Sequence, residues 1–219
     1  MSQELQVDVK FSFPQGFDLD VDLSAPAGSV TQLVGPSGSG KSTLLSLIAG
    51  LKTPRVGSIS IGDQTLFSSE QSIDVPPWRR RVGLLFQSDT LFPHLSVKQN
   101  LCFGSRQKVR NAWSLESICD AFEMTELLDR KPQQLSGGQR DRVSLGRTLL
   151  SQPKALLLDE PLNSVEANLR KRIFNFVGDG VAERGIPLVL VSHDAGLRSQ
   201  ASGPIWHLDS GKLRSESGA

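Results

Sequence analysis

The stretch that decides the fold is Gly35-Pro36-Ser37-Gly38-Ser39-Gly40-Lys41-Ser42. It follows a short apolar run at residues 30–34 and precedes a helix-forming run at residues 42–49, which Gly50 ends. Its glycines let the backbone turn tightly, so that several N–H groups can point at one anion. The N-terminus of the following helix adds partial positive charge at the same place. The octamer in this strand–loop–helix setting therefore predicts a phosphate-binding loop.

Each polar side chain of this loop has an expected role toward a nucleotide. Lys41 is expected to reach the β- and γ-phosphates, and Ser42 is expected to place its hydroxyl on Mg²⁺. Thr43 is a weaker candidate, for the α-phosphate side. The candidate ATP-binding residues of this segment are Gly35, Pro36, Ser37, Gly38, Ser39, Gly40, Lys41, Ser42 and Thr43.

A second apolar run, at residues 155–158, ends in two carboxylates. A carboxylate at the end of a strand can hold Mg²⁺ beside bound phosphates, directly or through water, and this role is expected of Asp159. Glu160 would then lie near the γ-phosphate and act as a general base toward the attacking water. Without the phosphate loop, a solvated strand end would be the favoured explanation of the pair. With that loop present, the catalytic interpretation is favoured.

Short buried-type strands alternate with helical patterns along the chain, which predicts an α/β domain with a mainly parallel sheet. The alternating residues 7–13 and 17–23 predict an antiparallel β addition at the start. Residues 97–128 carry helix formers and few strand signals, which predicts a helical insertion. Further strands are predicted at residues 58–61, 82–86 and 188–191, helices at 138–150 and 166–177, and a hairpin at 204–213.

Composition excludes several other classes of protein. The formal net charge is +1, so the chain has no basic excess for nucleic acid. Cys102 and Cys119 are too few for a disulfide framework and indicate two reduced, buried thiols. No window approaches the ~20 apolar residues of a membrane helix. The basic triplet at residues 79–81 is interpreted as the solvated start of a strand.

The segment Leu135-Ser136-Gly137-Gly138-Gln139-Arg140 resembles the signature motif of the ATP-binding cassette (ABC) ATPases. It lies after the phosphate loop and shortly before the acidic strand, which is the order of that family, and the resemblance covers about residues 7–213. It implies a P-loop NTPase core with an N-terminal antiparallel β subdomain and an inserted helical subdomain at about residues 88–145. A single ABC ATPase domain over residues 1–219, without a C-terminal regulatory domain, is expected.

The resemblance also assigns roles in catalysis and dimerisation. Two subunits of this family pair head to tail, and the signature of each closes over the ATP held by the other. The residues that would act in trans here are Ser136, Gly137, Gly138 and Gln139, although a helix cap alone would also explain them. Gln87 matches the glutamine that contacts Mg²⁺ or the attacking water. His193 matches the switch histidine that contacts the γ-phosphate and orients Glu160.

Two positions depart from the family's pattern. Glu166 stands where the loop after the catalytic glutamate usually has an aspartate, which puts communication between the two sites of a dimer in doubt. The family stacks adenine on an aromatic residue, often tyrosine, near the N-terminus, and this chain has no tyrosine. Phe13 is the first candidate and Phe11 the second. Both fall on the same face of a strand, so periodicity does not choose between them, and core packing is an equal alternative.

Residues 91–101 resemble the corresponding segment of bacterial uptake-system ATPases, including the molybdate, thiamine, sulfate, iron and polyamine groups. The resemblance implies integral membrane permease subunits and a periplasmic solute-binding protein as partners. It also implies a homodimer or paralogue dimer and a location on the cytoplasmic face of the inner membrane. Leu91, Phe92 and Leu95 are either a permease-docking surface or core. The alternatives are a soluble ABC ATPase acting on nucleic acid or ribosomes, and a scaffold that ATP clamps without hydrolysis.

Overall fold

The computed structural model describes residues 3–13, 18–86, 91–105, 112–192 and 202–215. Within these ranges eleven strands form one sheet in the order β6-β5-β4-β1-β2-β11-β10-β3-β9-β8-β7. The strands are β1 (Leu5–Ser12), β2 (Asp18–Ala25), β3 (Val30–Val34), β4 (Val56–Ile61), β5 (Gln64–Ser68), β6 (Ile73–Asp74), β7 (Val82–Leu85), β8 (Ala155–Asp159), β9 (Leu188–Val191), β10 (Ile205–Asp209) and β11 (Lys212–Ser215). The α-helices are α1 (Lys41–Ala49), α2 (Pro77–Arg80), α3 (Val97–Cys102), α4 (Leu115–Ala121), α5 (Gly137–Leu150) and α6 (Ala167–Arg184).

One half of the sheet is the parallel core, formed by β10, β3, β9, β8 and β7. Every residue of β3, β8 and β9 is buried, as expected of strands that are covered on both faces. Alternate residues of β8 enter two hydrophobic clusters, one shared with α5 and α6 and the other shared with α1. The α/β fold class predicted from the sequence is therefore confirmed.

The other half of the sheet is antiparallel and contains β1, β2, β4, β5 and β6. Buried and exposed residues alternate along β1 and β2, so one face packs inward and the other meets solvent. The two halves are joined by β11, which pairs antiparallel with β10 and parallel with β2 at Lys212 and Asp20.

Most of the described residues between β7 and β8 are helical. They contain α3, α4, two 3₁₀ turns (Thr125–Leu127 and Pro132–Gln134) and α5. Residue 145, the expected end of the helical subdomain, falls inside α5. The Gln152 side chain closes the segment, because its amide binds the backbone N–H and carbonyl of Trp113 at 3.1 and 2.9 Å.

Several elements were missed or shortened by the sequence patterns. Strands β5 and β6 and helix α2 were not predicted, since all three are short, and most residues of β6 and α2 are not buried. The helix predicted over residues 166–177 continues to Arg184 through Gly178 and Gly180. Gly180 is needed there, because a Cβ at this position would lie 2.7 Å from Nε1 of Trp113. Cys102 is exposed, contrary to the expectation of two buried thiols, whereas Cys119 is buried.

The solvated interpretation of the basic triplet is wrong for Arg80, which is fully buried. Its guanidinium donates to the carbonyls of Leu47 and Ile48 at 3.0 and 2.9 Å, to the Val75 carbonyl at 2.6 Å, and to Asp74 Oδ1 at 2.9 Å. Burial lowers the pKa of Arg80, and Asp74 opposes that shift. The last carbonyls of α1 lack helical partners and carry partial negative charge, so a buried cation is stabilised at this end.

Candidate nucleotide site

The segment between β3 and α1 forms a tight loop. Its turns depend on Gly35, Gly38 and Gly40, which adopt positive φ angles of 152°, 80° and 108°. Gly35 also lies against strand β10, because a Cβ there would lie 2.0 Å from the carbonyl oxygen of Leu208. Gly40 is the N-cap of α1, which therefore begins at Lys41 without a capping side chain. The first N–H groups of α1 have no cap from a side chain and are available to an anion.

Lys41 is held inside this loop by its own backbone. Its ammonium group donates to the carbonyl oxygens of Gly35 and Pro36 at 2.9 and 2.8 Å, and the side chain is 7% exposed. Burial lowers the pKa of Lys41, while Asp159 and then Glu160 act in the opposite direction. A cation with little contact to water interacts strongly with any anion that enters the loop.

The two carboxylates predicted at the acidic strand end lie at the end of β8. Asp159 is the last residue of the strand and is 4% exposed. Glu160 follows in the left-handed region with φ 48°, and its N–H donates to the carbonyl of Val191 at 2.9 Å. A non-glycine residue in this region is strained, and such residues cluster at functional sites.

One cavity of about 420 Å³ brings most of these predicted site residues together. Its lining residues are Phe13, Ser37, Gly38, Gly40, Lys41, Ser42, Thr43, Asp159 and Glu160. Ser39 is buried, and its Oγ has no hydrogen-bond partner among the described residues. The oxygen donors in this cavity, the Ser42 hydroxyl and the Asp159 carboxylate, are of the type that Mg²⁺ prefers. Within the described residues no group of three or more His, Cys, Asp or Glu side chains could hold a metal ion.

Phe11 and Phe13 were the two candidates for an adenine contact, and periodicity did not distinguish them. Their positions relative to the phosphate-loop cavity do. Phe13 lines the cavity, whereas Phe11 is not among its lining residues. The two rings meet edge to face at 5.2 Å, and the ammonium of Lys52 lies 5.8 Å from the Phe11 ring. Phe13 is therefore the candidate for an adenine contact, and the Phe11 ring packs edge to face against it.

The signature-like segment begins α5 as a reciprocal cap. The Ser136 hydroxyl accepts a hydrogen bond from the Gln139 N–H at 3.2 Å, and Gln139 Oε1 accepts from the Ser136 N–H at 2.9 Å. Gly138 packs directly on the loop after Glu160, since a Cβ there would lie 2.5 Å from the carbonyl oxygen of Ser164. Neither Ser136 nor Gln139 lines the phosphate-loop cavity. The segment is thus a separate, partly exposed helix start.

Glu166, which stands in place of the expected aspartate, is the N-cap of α6. Its carboxylate accepts hydrogen bonds from the N–H groups of Asn168 and Leu169 at 3.0 and 3.2 Å. These two bonds lower the pKa of Glu166. Asp, Asn, Ser and Thr are the usual N-caps, and the longer glutamate reaches the same donors here.

Two predicted catalytic residues, Gln87 and His193, lie outside the described residues. The proposed docking segment is described in full. Leu91 is buried in the core, which contradicts a docking role for it, while Phe92 and Leu95 are half-buried. The Phe92 ring contacts that of Phe103 at 4.4 Å, and Phe103 is 55% exposed. Sequence patterns gave no signal for Phe103, since it follows the end of α3.

The sequence analysis also missed two polar contacts beside the acidic pair. Asn163 Nδ2 donates to Glu160 Oε2 at 3.1 Å, and Asp141 Oδ2 accepts from the Ser164 N–H at 3.2 Å. A second cavity, of about 290 Å³, lies here between the start of α5 and residues 160–164.

None of the described helices is long and apolar enough to cross a membrane.

The fold and the cleft define a nucleotide-binding domain of the phosphate-loop class. The family model described as ABC transporter matches residues 19–163, and the chain belongs to this family. Among its relatives is the molybdenum import ATP-binding protein ModC of Paramagnetospirillum magneticum, 40% identical over 199 residues that cover 90% of this chain and 54% of the relative. ModC of Pseudomonas aeruginosa is 38% identical over 212 residues, covering 96% and 58%. The chain thus spans about half the length of the curated relatives it matches.

Solved structures give the same result. A nucleotide-free ATP-binding cassette from an ABC transporter superimposes with a TM-score of 0.80 at 25% identity, covering 100% of this chain and 92% of the other. A dimeric ATP-binding cassette in a post-hydrolysis state, bound to ADP and Pi, has a TM-score of 0.77 at 27% identity. It covers 99% of this chain and 100% of the other.

Proposed function

We propose that this chain binds and hydrolyses ATP and thereby powers solute uptake through a separate membrane permease. The observation that carries the proposal is a single cleft that contains the glycine loop, the buried Lys41 and the Asp159–Glu160 pair. The similarity to molybdenum import ATP-binding proteins supports uptake as the direction of transport. The dimeric cassette with ADP and Pi supports hydrolysis and pairing.

Binding begins at the loop. The N–H groups of the loop and of the α1 N-terminus hold the phosphates, and Lys41 exchanges its two carbonyl partners for phosphate oxygens. Phe13 stacks on the adenine. Ser42, Asp159 and Gln87 would hold Mg²⁺, and the bound ion would neutralise charge that develops on the phosphate oxygens.

Hydrolysis depends on Glu160. Its carboxylate accepts a proton from the water that attacks the γ-phosphorus, and the bond from that phosphorus to the β–γ bridging oxygen breaks to give ADP and phosphate. Gln87 and His193 orient this water. Ser136, Gly137, Gly138 and Gln139 of a second subunit close over the ATP, so that the nucleotide holds a homodimer or paralogue dimer together.

The ATPase acts on the permease at the cytoplasmic face of the inner membrane, where the permease docks on the exposed side of Phe92 and Leu95. A periplasmic solute-binding protein supplies the solute. The cassette does not contact the solute, so its own residues do not identify the solute. Molybdenum, which the relatives are named for, is therefore the first solute to test.

The first experiment measures phosphate release by the purified chain with Mg-ATP. The wild type is expected to hydrolyse ATP, Lys41→Ala to lose nucleotide binding, and Glu160→Gln to bind ATP but accumulate as a closed dimer. Hydrolysis by Glu160→Gln at the wild-type rate would refute the role of Glu160. No phosphate release by the wild type, with ATP binding intact, would favour the clamped scaffold.

A second experiment separates transport from other uses of the motor. The tagged chain is purified from gently solubilised native membranes, and the associated proteins are identified. A polytopic membrane protein in stoichiometric amount supports the permease, and molybdate uptake by cells that express both then tests the solute. Only ribosomes or nucleic acid in the preparation would favour the soluble alternative.

A further inference from the structure

The loop that carries Glu160 into α6 is fixed at several points. Glu160 and Leu162 both adopt left-handed backbone angles, with φ of 48° and 62°. The Glu160 N–H is bound to Val191, and the Val165 N–H donates to the Leu162 carbonyl at 3.0 Å. These backbone contacts fix the position from which the Glu160 side chain extends.

That side chain is contacted by Asn163. The amide Nδ2 of Asn163 donates to Oε2 of Glu160 at 3.1 Å, within one turn of the same loop. Glu160 lines both the phosphate-loop cavity and the second cavity, whereas Asn163 lines only the second. The amide therefore approaches the carboxylate from the side away from the phosphate loop.

We propose that Asn163 is a positioning residue that fixes the Glu160 carboxylate at the edge of the phosphate-loop cleft through the hydrogen bond to Oε2. The inference rests on the proposed function, because it concerns the base of that reaction. A base must be held within hydrogen-bond reach of the water, and a displacement of about 1 Å costs up to ~100-fold in rate.

Two further observations support the proposal. Glu160 lines the phosphate-loop cavity, so the carboxylate that Asn163 contacts belongs to the phosphate-binding cleft. Asn163 itself is held by its neighbour, since the Ser164 N–H donates to Asp141 on α5 and the Ser164 carbonyl abuts Gly138. The amide thus projects from a braced segment.

The test uses Asn163→Ala and the isosteric Asn163→Asp, with Asn168→Asp as the matched control. Asn168 is also exposed and lies in the first turn of α6, so the control adds the same charge nearby without a side-chain contact to Glu160. We expect kcat of Asn163→Ala to fall roughly tenfold with the KM for ATP changed less than about twofold. Asn163→Asp is expected to fall further, since it replaces a donor with a like charge. Asn168→Asp is expected to match the wild type.

Loss of dimerisation would also lower kcat, so a second set of variants separates the two causes. In the Glu160→Gln background, adding Asn163→Ala should leave ATP-dependent dimer formation and the residual single-turnover rate unchanged, because the base is already removed. A tenfold drop in that residual rate, or loss of the dimer, would overturn the proposal. So would wild-type kcat in both Asn163 variants. An inactive wild type would instead refute the proposed function.

Discussion

A methyl group on Gly50 would lie 2.5 Å from the Nε atom of Arg80. Gly50 ends α1 with φ 81°, and its N–H donates to the Leu47 carbonyl at 3.1 Å. Arg80 fills the space that a side chain would take and binds the last carbonyls of the same helix. The helix that begins at Lys41 is therefore terminated by a glycine and a buried guanidinium acting together.

Removing this guanidinium should destabilise the fold. Arg80→Ala removes the guanidinium bonds to the carbonyls of Leu47 and Ile48 and the cation beside Asp74, and we expect a loss of about 3 kcal/mol in the free energy of unfolding. Arg80→Lys should recover only part, because an ammonium has three donors and no planar fork. Urea denaturation measures the free energy of unfolding of both Arg80 variants. Arg79 is exposed, so the control variant Arg79→Ala is expected to stay within about 0.5 kcal/mol of the wild type. Equal losses at residues 79 and 80 would contradict the expectation.

A pair of glycine variants tests the fit at the end of α1. Gly50→Ala should cost about 1–3 kcal/mol, because alanine is strained at positive φ and its methyl meets Arg80. Gly178→Ala should instead stabilise the protein by about 0.5–1 kcal/mol, since it lies within α6 with no described atom within 4 Å of the added carbon. Thermal denaturation measures the change in stability of each variant relative to the wild type. A change of the same sign in both variants would contradict these expectations.

ATP affinity should depend on Phe13 and much less on Phe11. Stacking of a base on an aromatic ring contributes about 1–3 kcal/mol, so Phe13→Ala is expected to weaken ATP binding by roughly tenfold. Phe11→Leu keeps an apolar side chain beside Phe13 and should leave the affinity for ATP within about twofold of the wild type. Equilibrium titration with a fluorescent ATP analogue measures both constants. The opposite ranking would assign the contact to Phe11.

The cap at Glu166 predicts a pH dependence of stability. Two backbone donors lower the pKa of Glu166 from its usual value of 4.5, so its charged form stabilises the fold above that pH and the gain is lost as the pH falls through the lowered pKa. Wild type should therefore unfold at higher denaturant than Glu166→Gln at pH 7, and the difference should shrink in acid below pH 4.5. Glu166→Asp should retain the pH dependence. A difference that stays constant into acid would exclude the charged cap.

The elements that the sequence predicted well are those with a single strong cause. Val30–Val34 and Leu188–Val191 are apolar runs buried on both faces, and their predicted bounds match the strands. The phosphate loop is local, so its glycines and Lys41 could be predicted as site residues from adjacent residues alone. Short edge elements such as β6 lack such a pattern and depend on contacts made after folding.

The contacts missed by the sequence analysis depend on tertiary structure. Arginine is usually found at the surface, so the residue type gives no sign that Arg80 is buried. Arg80 caps the end of α1 because the fold brings it to the carbonyl of Leu47, 33 positions away in sequence. Gly178 and Gly180 favour the end of a helix, yet α6 continues through both, and Gly180 lies directly against Trp113. Asn163 lies close to Glu160 in sequence, but the direction of its amide depends on left-handed angles that no residue type there specifies.

The position of β3 has a consequence for synthesis on the ribosome. This strand leaves the ribosome early, yet both of its neighbours, β9 and β10, come from residues 188–209. The backbone of Gly35 likewise rests against Leu208. A nascent chain therefore carries an open, apolar strand edge, exposed to mispairing and to chaperones, until nearly the whole domain has been translated. The loop that follows β3 therefore reaches its final surroundings only when β9 and β10 close the centre of the sheet.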